Sequence, residues 1–132
     1  MKQEKTQAKR TGDIGEAAAE RYLRRKGYDI LARNYRIRGG ETDIIAAKGE
    51  YIVFAEVKTR NTASLARPSD WVDIRKQKKL ILSAADYLEK HDTQLQPRFD
   101  VIEVVYDKRT EIIVSIEHIE DAFTQTGDYA QF

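Results

Sequence analysis

Apolar and polar positions change period several times along the chain, and each change marks an element. Ile14, Ala17, Ala18 and Tyr22 recur at the spacing of a helix face, which Ala19 and Leu23 widen. The pattern predicts a helix over residues 12–26, with Thr11 or Asp13 as its cap and Gly27 as its stop. Three strands are expected next, over residues 28–37, 42–47 and 51–60, broken by Gly39-Gly40 and by the turn Lys48-Gly49-Glu50. Residues 61–69 are polar, contain Pro68 and read as a loop. Gln77, Leu80, Ile81, Ala84 and Leu88 then share one face of a second helix, running from Asp73 as N-cap to His91. Two last strands, 98–106 and 111–119, flank the turn Asp107-Lys108-Arg109-Thr110. The order α-β-β-β-α-β-β predicts an α/β fold, a mixed sheet flanked by helices. Residues 1–11 and 124–132 lack periodicity and are expected to be flexible ends of one domain spanning 12–123.

Composition narrows the class. A chain of 132 residues suits one hydrophobic core. No apolar run approaches the roughly 18 residues of a membrane span. The N-terminal Met1-Lys2-Gln3-Glu4-Lys5 has no apolar segment behind it, so no secretory signal is expected. With no cysteine there is no disulfide, thiol nucleophile or cysteine-based zinc site. A cytoplasmic protein is expected.

The net charge of +1 hides a division. Residues 1–79 carry 19 Lys/Arg and 11 Asp/Glu, whereas residues 80–132 carry 4 and 11. The first part can present a basic face to a polyanion; the remainder cannot. Arg33, Arg36, Arg38, Arg60, Lys78 and Lys79 are candidates for backbone-phosphate contacts, or else ordinary solvated charge. Lys76 stands beside Gln77, an amide on the apolar face of the second helix. Gln77 reads either as a group approaching a metal or phosphate or as a buried amide satisfying backbone.

The third strand carries the most chemistry. Ile52, Phe54, Glu56 and Lys58 share a face by the two-residue period, while Tyr51, Val53, Ala55 and Val57 are all apolar. A hairpin centred between Gly49 and Glu50 makes paired positions sum to 99 and sets Asp43 opposite Glu56. Opposed side chains project to one face with Cβ atoms ~5 Å apart. Two carboxylates that close repel unless a proton or cation intervenes, and their oxygens suit a hard ion such as Mg²⁺ or Mn²⁺. Centring on Gly49 would spoil the arrangement, so it depends on register.

Asp43 followed by Glu56-Val57-Lys58 resembles the D…(D/E)xK signature of the PD-(D/E)xK nuclease superfamily. Across residues 12–123 the match is closer. Gly15-Glu16, Tyr22-Leu23, Asn34-Tyr35, Gly40-Glu41-Thr42-Asp43, Val57-Lys58-Thr59-Arg60, Lys76-Gln77, Arg98-Phe99-Asp100-Val101 and His118-Ile119 resemble the bacterial YraN family. The resemblance implies a restriction-endonuclease-like fold similar to archaeal Holliday-junction resolvases. It also implies a metal-dependent endonuclease acting on DNA, including branched DNA, and a homodimer that cuts two strands symmetrically. Thr42 replaces the proline of the superfamily's name, a position that supplies no ligand.

The resemblance assigns roles. Asp43, Glu56 and the Val57 carbonyl would hold Mg²⁺ or Mn²⁺, and Lys58 would orient the attacking water or stabilise the transition state. Glu16 matches an extra carboxylate of the resolvase-like branch, or is an acid favoured in the first turn of a helix. The rival function is a nucleic-acid-binding or adaptor protein that keeps the fold without turnover. A pure protein-interaction module is the third. Arg98 and Asp100 are expected to pair across one strand face, His91 to favour the end of the second helix, and His118 to lie at the surface. Trp71 reads as a lid anchor beside the site.

Overall fold

Among the described residues seven elements follow one another: α1 (Gln7–Arg25), β1 (Asp29–Ile37), β2 (Gly40–Lys48), β3 (Tyr51–Asn61), α2 (Ile74–Lys90), β4 (Gln96–Asp107) and β5 (Ile112–Phe123). The computed structural model describes residues 7–62 and 73–124. The α-β-β-β-α-β-β order is therefore the observed one. The strands form one mixed sheet in the order β1-β2-β3-β4-β5. Only β3 and β4 are parallel, because α2 carries the chain back between them.

The helices cover opposite faces. Leu80, Ala84 and Tyr87 of α2 pack on Ile45, Ile52, Phe54, Phe99 and Val101. Ala18, Ala19 and Leu23 of α1 pack on Ile44, Ala46, Val53, Ala55 and Ile102. The strict alternation of β3 between Ile52 and Ala55 thus serves two cores at once, one on each face.

Each helix also touches the sheet at a glycine. A Cβ on Gly15 would lie 1.8 Å from Thr59 Oγ1, so α1 crosses β3 at backbone distance. A Cβ on Gly40 would lie 2.7 Å from the Lys79 carbonyl, which seats β2 against α2 in the same way.

Several boundaries differ from the pattern. α1 begins at Gln7, so Thr11 and Asp13 lie inside the helix and do not cap it. Its early turns carry polar residues that periodicity alone cannot register. Asp73 does cap α2, accepting the Lys76 N–H at 3.0 Å. β4 and β5 are longer than expected, and β5 ends on the buried Ala122 and Phe123. Phe123 stacks on Phe99 at 5.1 Å, a core contact the tail-like composition of the C-terminus conceals. The expectations for Pro68 and Trp71 lie outside the described residues. No helix is long and apolar enough to cross a membrane.

Candidate active site

β2 and β3 pair from Lys48↔Tyr51 to Ile44↔Ala55, and every pair sums to 99. That is the register of a hairpin centred between Gly49 and Glu50, not of one centred on Gly49. It ends one residue short of Asp43 and Glu56. Beyond Ala55, β3 continues to Asn61 paired with β4, and β2 no longer runs beside it in the described ladder.

The divergence has a local cause. Thr42 Oγ1 meets Ser83 Oγ of α2 at 2.6 Å, and Ile45 also packs beneath α2, yet Ile44 packs beneath α1. β2 therefore turns over at Asp43. β1 does the same at Asn34: Ala32 and Tyr35 pack on the α2 side, while Arg33 reaches back to α1. Asn34 adopts φ +52°, a left-handed backbone that asparagine tolerates better than most residues. The register between the two strands is the same on either side, Arg33↔Ile44 and Tyr35↔Thr42. Both strands invert together in the row that holds Asn34 and Asp43.

This inversion delivers the Asp43 side chain into the gap between β2 and β3. Its Oδ2 accepts the Val57 N–H at 2.8 Å, in place of a ladder partner. Its carboxyl also hydrogen-bonds that of Glu56. Burial pushes the Glu56 carboxyl up to about 8, and the adjacent Asp43 adds to it. Burial raises Asp43 as well, opposed by the Val57 hydrogen bond. Two acids so placed share a proton or a cation at neutral pH. Lys76, at the start of α2, sets its Nζ 4.0 Å from Glu56 Oε1. Lys58 is half-buried two residues beyond Glu56 and in register beside Glu103 of β4.

Glu16 belongs to the same neighbourhood without joining the pair. Its carboxyl is raised by burial and by the charge of Asp43, against hydrogen bonds from Arg33 and Asn34. Arg33 forks between two acids of α1, with Nη1 2.7 Å from Glu20 and Nη2 3.4 Å from Glu16. Among the described residues no three His, Cys, Asp or Glu side chains converge as a ready cluster for one ion. The pair Asp43 and Glu56, with the backbone of Val57, is the oxygen set at hand.

The family model for the uncharacterised protein family UPF0102 matches residues 15–104, a span that includes both acids. The chain belongs to UPF0102. A UPF0102 protein of Moorella thermoacetica is 47% identical over 116 residues, covering 87% of this chain and 96% of that protein. One from Caldanaerobacter subterraneus subsp. tengcongensis is 41% identical over 120 residues, covering 90% and 98%. One from Clostridioides difficile is 44% identical over 117 residues, covering 87% and 97%. The YraN resemblance of the sequence is thereby borne out at the level of the family.

The remaining candidate residues of this UPF0102 chain fall into two groups. Arg36, Arg38, Lys76, Lys78 and Lys79 are exposed, and Arg36 lies 3.4 Å from Glu41. Arg60 is instead buried, its Nε 3.1 Å from Glu103 Oε2, and Gln77 is wholly enclosed. Those two are placed inside the protein, away from the surface a phosphate backbone would meet.

His118 is the clear correction. The expected surface histidine is largely enclosed, with Nε2 2.6 Å from Asp100 Oδ2 and Nδ1 3.1 Å from the Tyr22 hydroxyl. Arg98 pairs with Asp100 as expected, through Nε at 2.9 Å and Nη2 at 2.8 Å. The neighbouring exposed acids Glu117 and Glu120 mask this in the sequence. Arg33, read as a phosphate-contact candidate, pairs instead with Glu16 and Glu20, and Asn34 is the other residue that the sequence did not place at the site. The one local signal for Asn34 is asparagine's tolerance of positive φ.

Proposed function

We propose that this protein is a divalent-metal-dependent phosphodiester hydrolase acting on DNA. The carrying observation is the adjacent, part-buried carboxyls of Asp43 and Glu56 where β2 leaves β3, with Asp43 held by the Val57 N–H. The donor set fits a hard cation: two adjacent, part-buried carboxyls that repel unless a proton or cation lies between them, with only oxygen ligands on offer. Asp43, Glu56 and the Val57 carbonyl would hold the ion. A bound Mg²⁺ or Mn²⁺ supplies a water of lowered pKa and positive charge against the scissile phosphate.

The chain's own residues do the rest. The Val57 N–H fixes the Asp43 carboxylate, leaving its second oxygen for the ion. Lys58 brings a cation to the same stretch of β3, where it orients water or offsets charge on the phosphate. The α2 residues Lys76, Lys78 and Lys79 and the β1 residues Arg36 and Arg38 provide exposed positive charge for the backbone. Branched DNA as substrate and a homodimer that cuts both strands are the finer form of the reading.

Cleavage of linear and four-way-junction DNA with Mg²⁺ or Mn²⁺ tests it, comparing wild type with Asp43→Ala and Glu56→Ala. Both substitutions are expected to abolish cleavage. Activity that survives both, or no cleavage of any substrate, overturns the nuclease. The second reading is an adaptor that keeps the fold without turnover. It predicts metal-independent, salt-sensitive DNA binding without turnover.

A further inference from the structure

Lys76 differs from the exposed cations that follow it on α2. Its ammonium lies 4.0 Å from Glu56 Oε1, beside the oxygens that would hold a divalent ion. Burial raises both Asp43 and Glu56; the charge of Glu41 adds to the rise in both, and the charge of Lys76 opposes it in both. One flexible cation therefore acts on the two acids together. It stands among carboxylates that otherwise push one another up.

The fold fixes the root of Lys76 and leaves its tip loose. Asp73 caps α2 and accepts the Lys76 N–H at 3.0 Å, which holds the backbone of that residue in the first turn. Gln77, the next residue, is wholly enclosed and anchors the same turn within the protein. The Lys76 side chain beyond is about half exposed, whereas Glu56 is far more enclosed. An ammonium only donates hydrogen bonds, so it offsets the charge of a carboxylate pair without filling a ligand position. A divalent ion brings twice that charge to the same oxygens, and the two cations repel one another there.

We infer that Lys76 is the internal counter-ion of the acid pair and sets its affinity for a divalent ion. Its ammonium lies against Glu56 in the ion-free protein, and an ion binds by pushing it aside toward solvent. The inference rests on the metal-dependent reading of Asp43 and Glu56. It adds a task at the ion site to the surface role that Lys76 has with Lys78 and Lys79. The half-exposed position keeps the way out open, so the lysine weakens ion binding without blocking it.

The test is Mn²⁺ binding by calorimetry on the full chain, without DNA and at low ionic strength. Lys76→Met removes the ammonium and keeps a good helix former. It is expected to tighten Mn²⁺ binding about fivefold, the scale of one unit charge at about 4 Å in water. Lys76→Arg restores a cation and should return the affinity to the wild-type value or below it. The gain in Lys76→Met should shrink as NaCl is added, because salt screens charge and leaves packing alone. Arg75→Gln removes a positive charge from the same turn and is expected to leave the affinity unchanged. Thermal unfolding of each variant separates loss of fold from a change at the site.

Three results decide the matter. Where wild type binds Mn²⁺, unchanged or weaker binding in Lys76→Met overturns this inference alone. A gain that Arg75→Gln reproduces, that Lys76→Arg retains, or that persists in high salt also overturns it, since the ammonium beside Glu56 would then not be the cause. A wild type that binds no Mn²⁺, or binds it regardless of Asp43→Asn, overturns the metal reading itself and this inference with it.

Discussion

The Asp43 carboxylate accepts the backbone N–H of Val57 at 2.8 Å, so a side chain takes the donor that a paired strand would otherwise take. β2 leaves β3 at that point, and the acid itself satisfies the amide its departure exposes. The contact ties the position of Asp43 to the very segment of β3 that carries Glu56. Asp43→Asn keeps one oxygen to accept the N–H and should preserve this local structure. Asp43→Leu orphans a part-buried donor and should destabilise by about 1–3 kcal/mol in chemical denaturation.

The acid pair predicts a pH dependence of stability in metal-free protein. Glu56 titrates at about 8 when folded, against 4.5 as its ordinary value. Its stabilising contribution is therefore complete below pH 4.5 and lost as pH rises through about 8. Unfolding free energies measured in chelator should fall across that window. Glu56→Gln, which cannot ionise, should flatten the fall; an unaltered slope would exclude Glu56 as its source.

Metal binding should follow the opposite course. The ion must displace the proton that the pair shares, so Mn²⁺ affinity should rise with pH until it levels off near 8. Calorimetry in two buffers of different ionisation enthalpy would report the released proton. Binding without proton release at pH 6 would contradict the shared-proton arrangement.

Asp100 is an acid of the opposite kind. Burial alone would raise it, but hydrogen bonds from His118, Arg98 and the Asp121 N–H hold it below its ordinary range. Its contribution is present above pH 3.8 and disappears as pH falls below that value. Asp100→Ala strands Arg98 and should cost about 3–5 kcal/mol. Asp43→Asn should cost far less. Denaturant midpoints of the two variants therefore separate the scaffold acid from the site acid.

Gly15→Ala should be among the most damaging small substitutions, because its Cβ would fall 1.8 Å from Thr59 Oγ1. The forced shift of α1 is expected to cost about 1–3 kcal/mol and to displace Glu16. Adding Thr59→Ala removes the closest clashing atom and should recover part of the loss. Independent, additive effects of the two substitutions would contradict direct contact.

Element order was legible in the sequence because it follows from local signals, and the hairpin register was narrowed to two choices. Period changes mark the strands and α2, Asp73 marks a helix start, and the short turn at Lys48-Gly49-Glu50 narrows the pairing to two registers, of which the structure has the sum-99 one. The family was legible as well, since its motifs are spread through the chain and resemblance needs no coordinates. The missed start of α1 has the same logic in reverse: a polar first turn carries no periodic signal.

Tertiary structure alone decided how the acids meet. Alternation sets Asp43 opposite Glu56, but the inversion at Asn34 and Asp43 depends on Thr42 reaching Ser83 of α2 and Arg33 reaching Glu20 of α1. Those partners are 41 and 13 residues away. His118 and Asp100 likewise meet only because β5 pairs with β4 beneath α1. A residue's identity limits what it can bond, but burial and partner choice arise only when distant segments pack. The sequence therefore determined which groups were available, and packing determined that Asp43 and Glu56 lie side by side while Arg33 contacts Glu16 and Glu20 of α1.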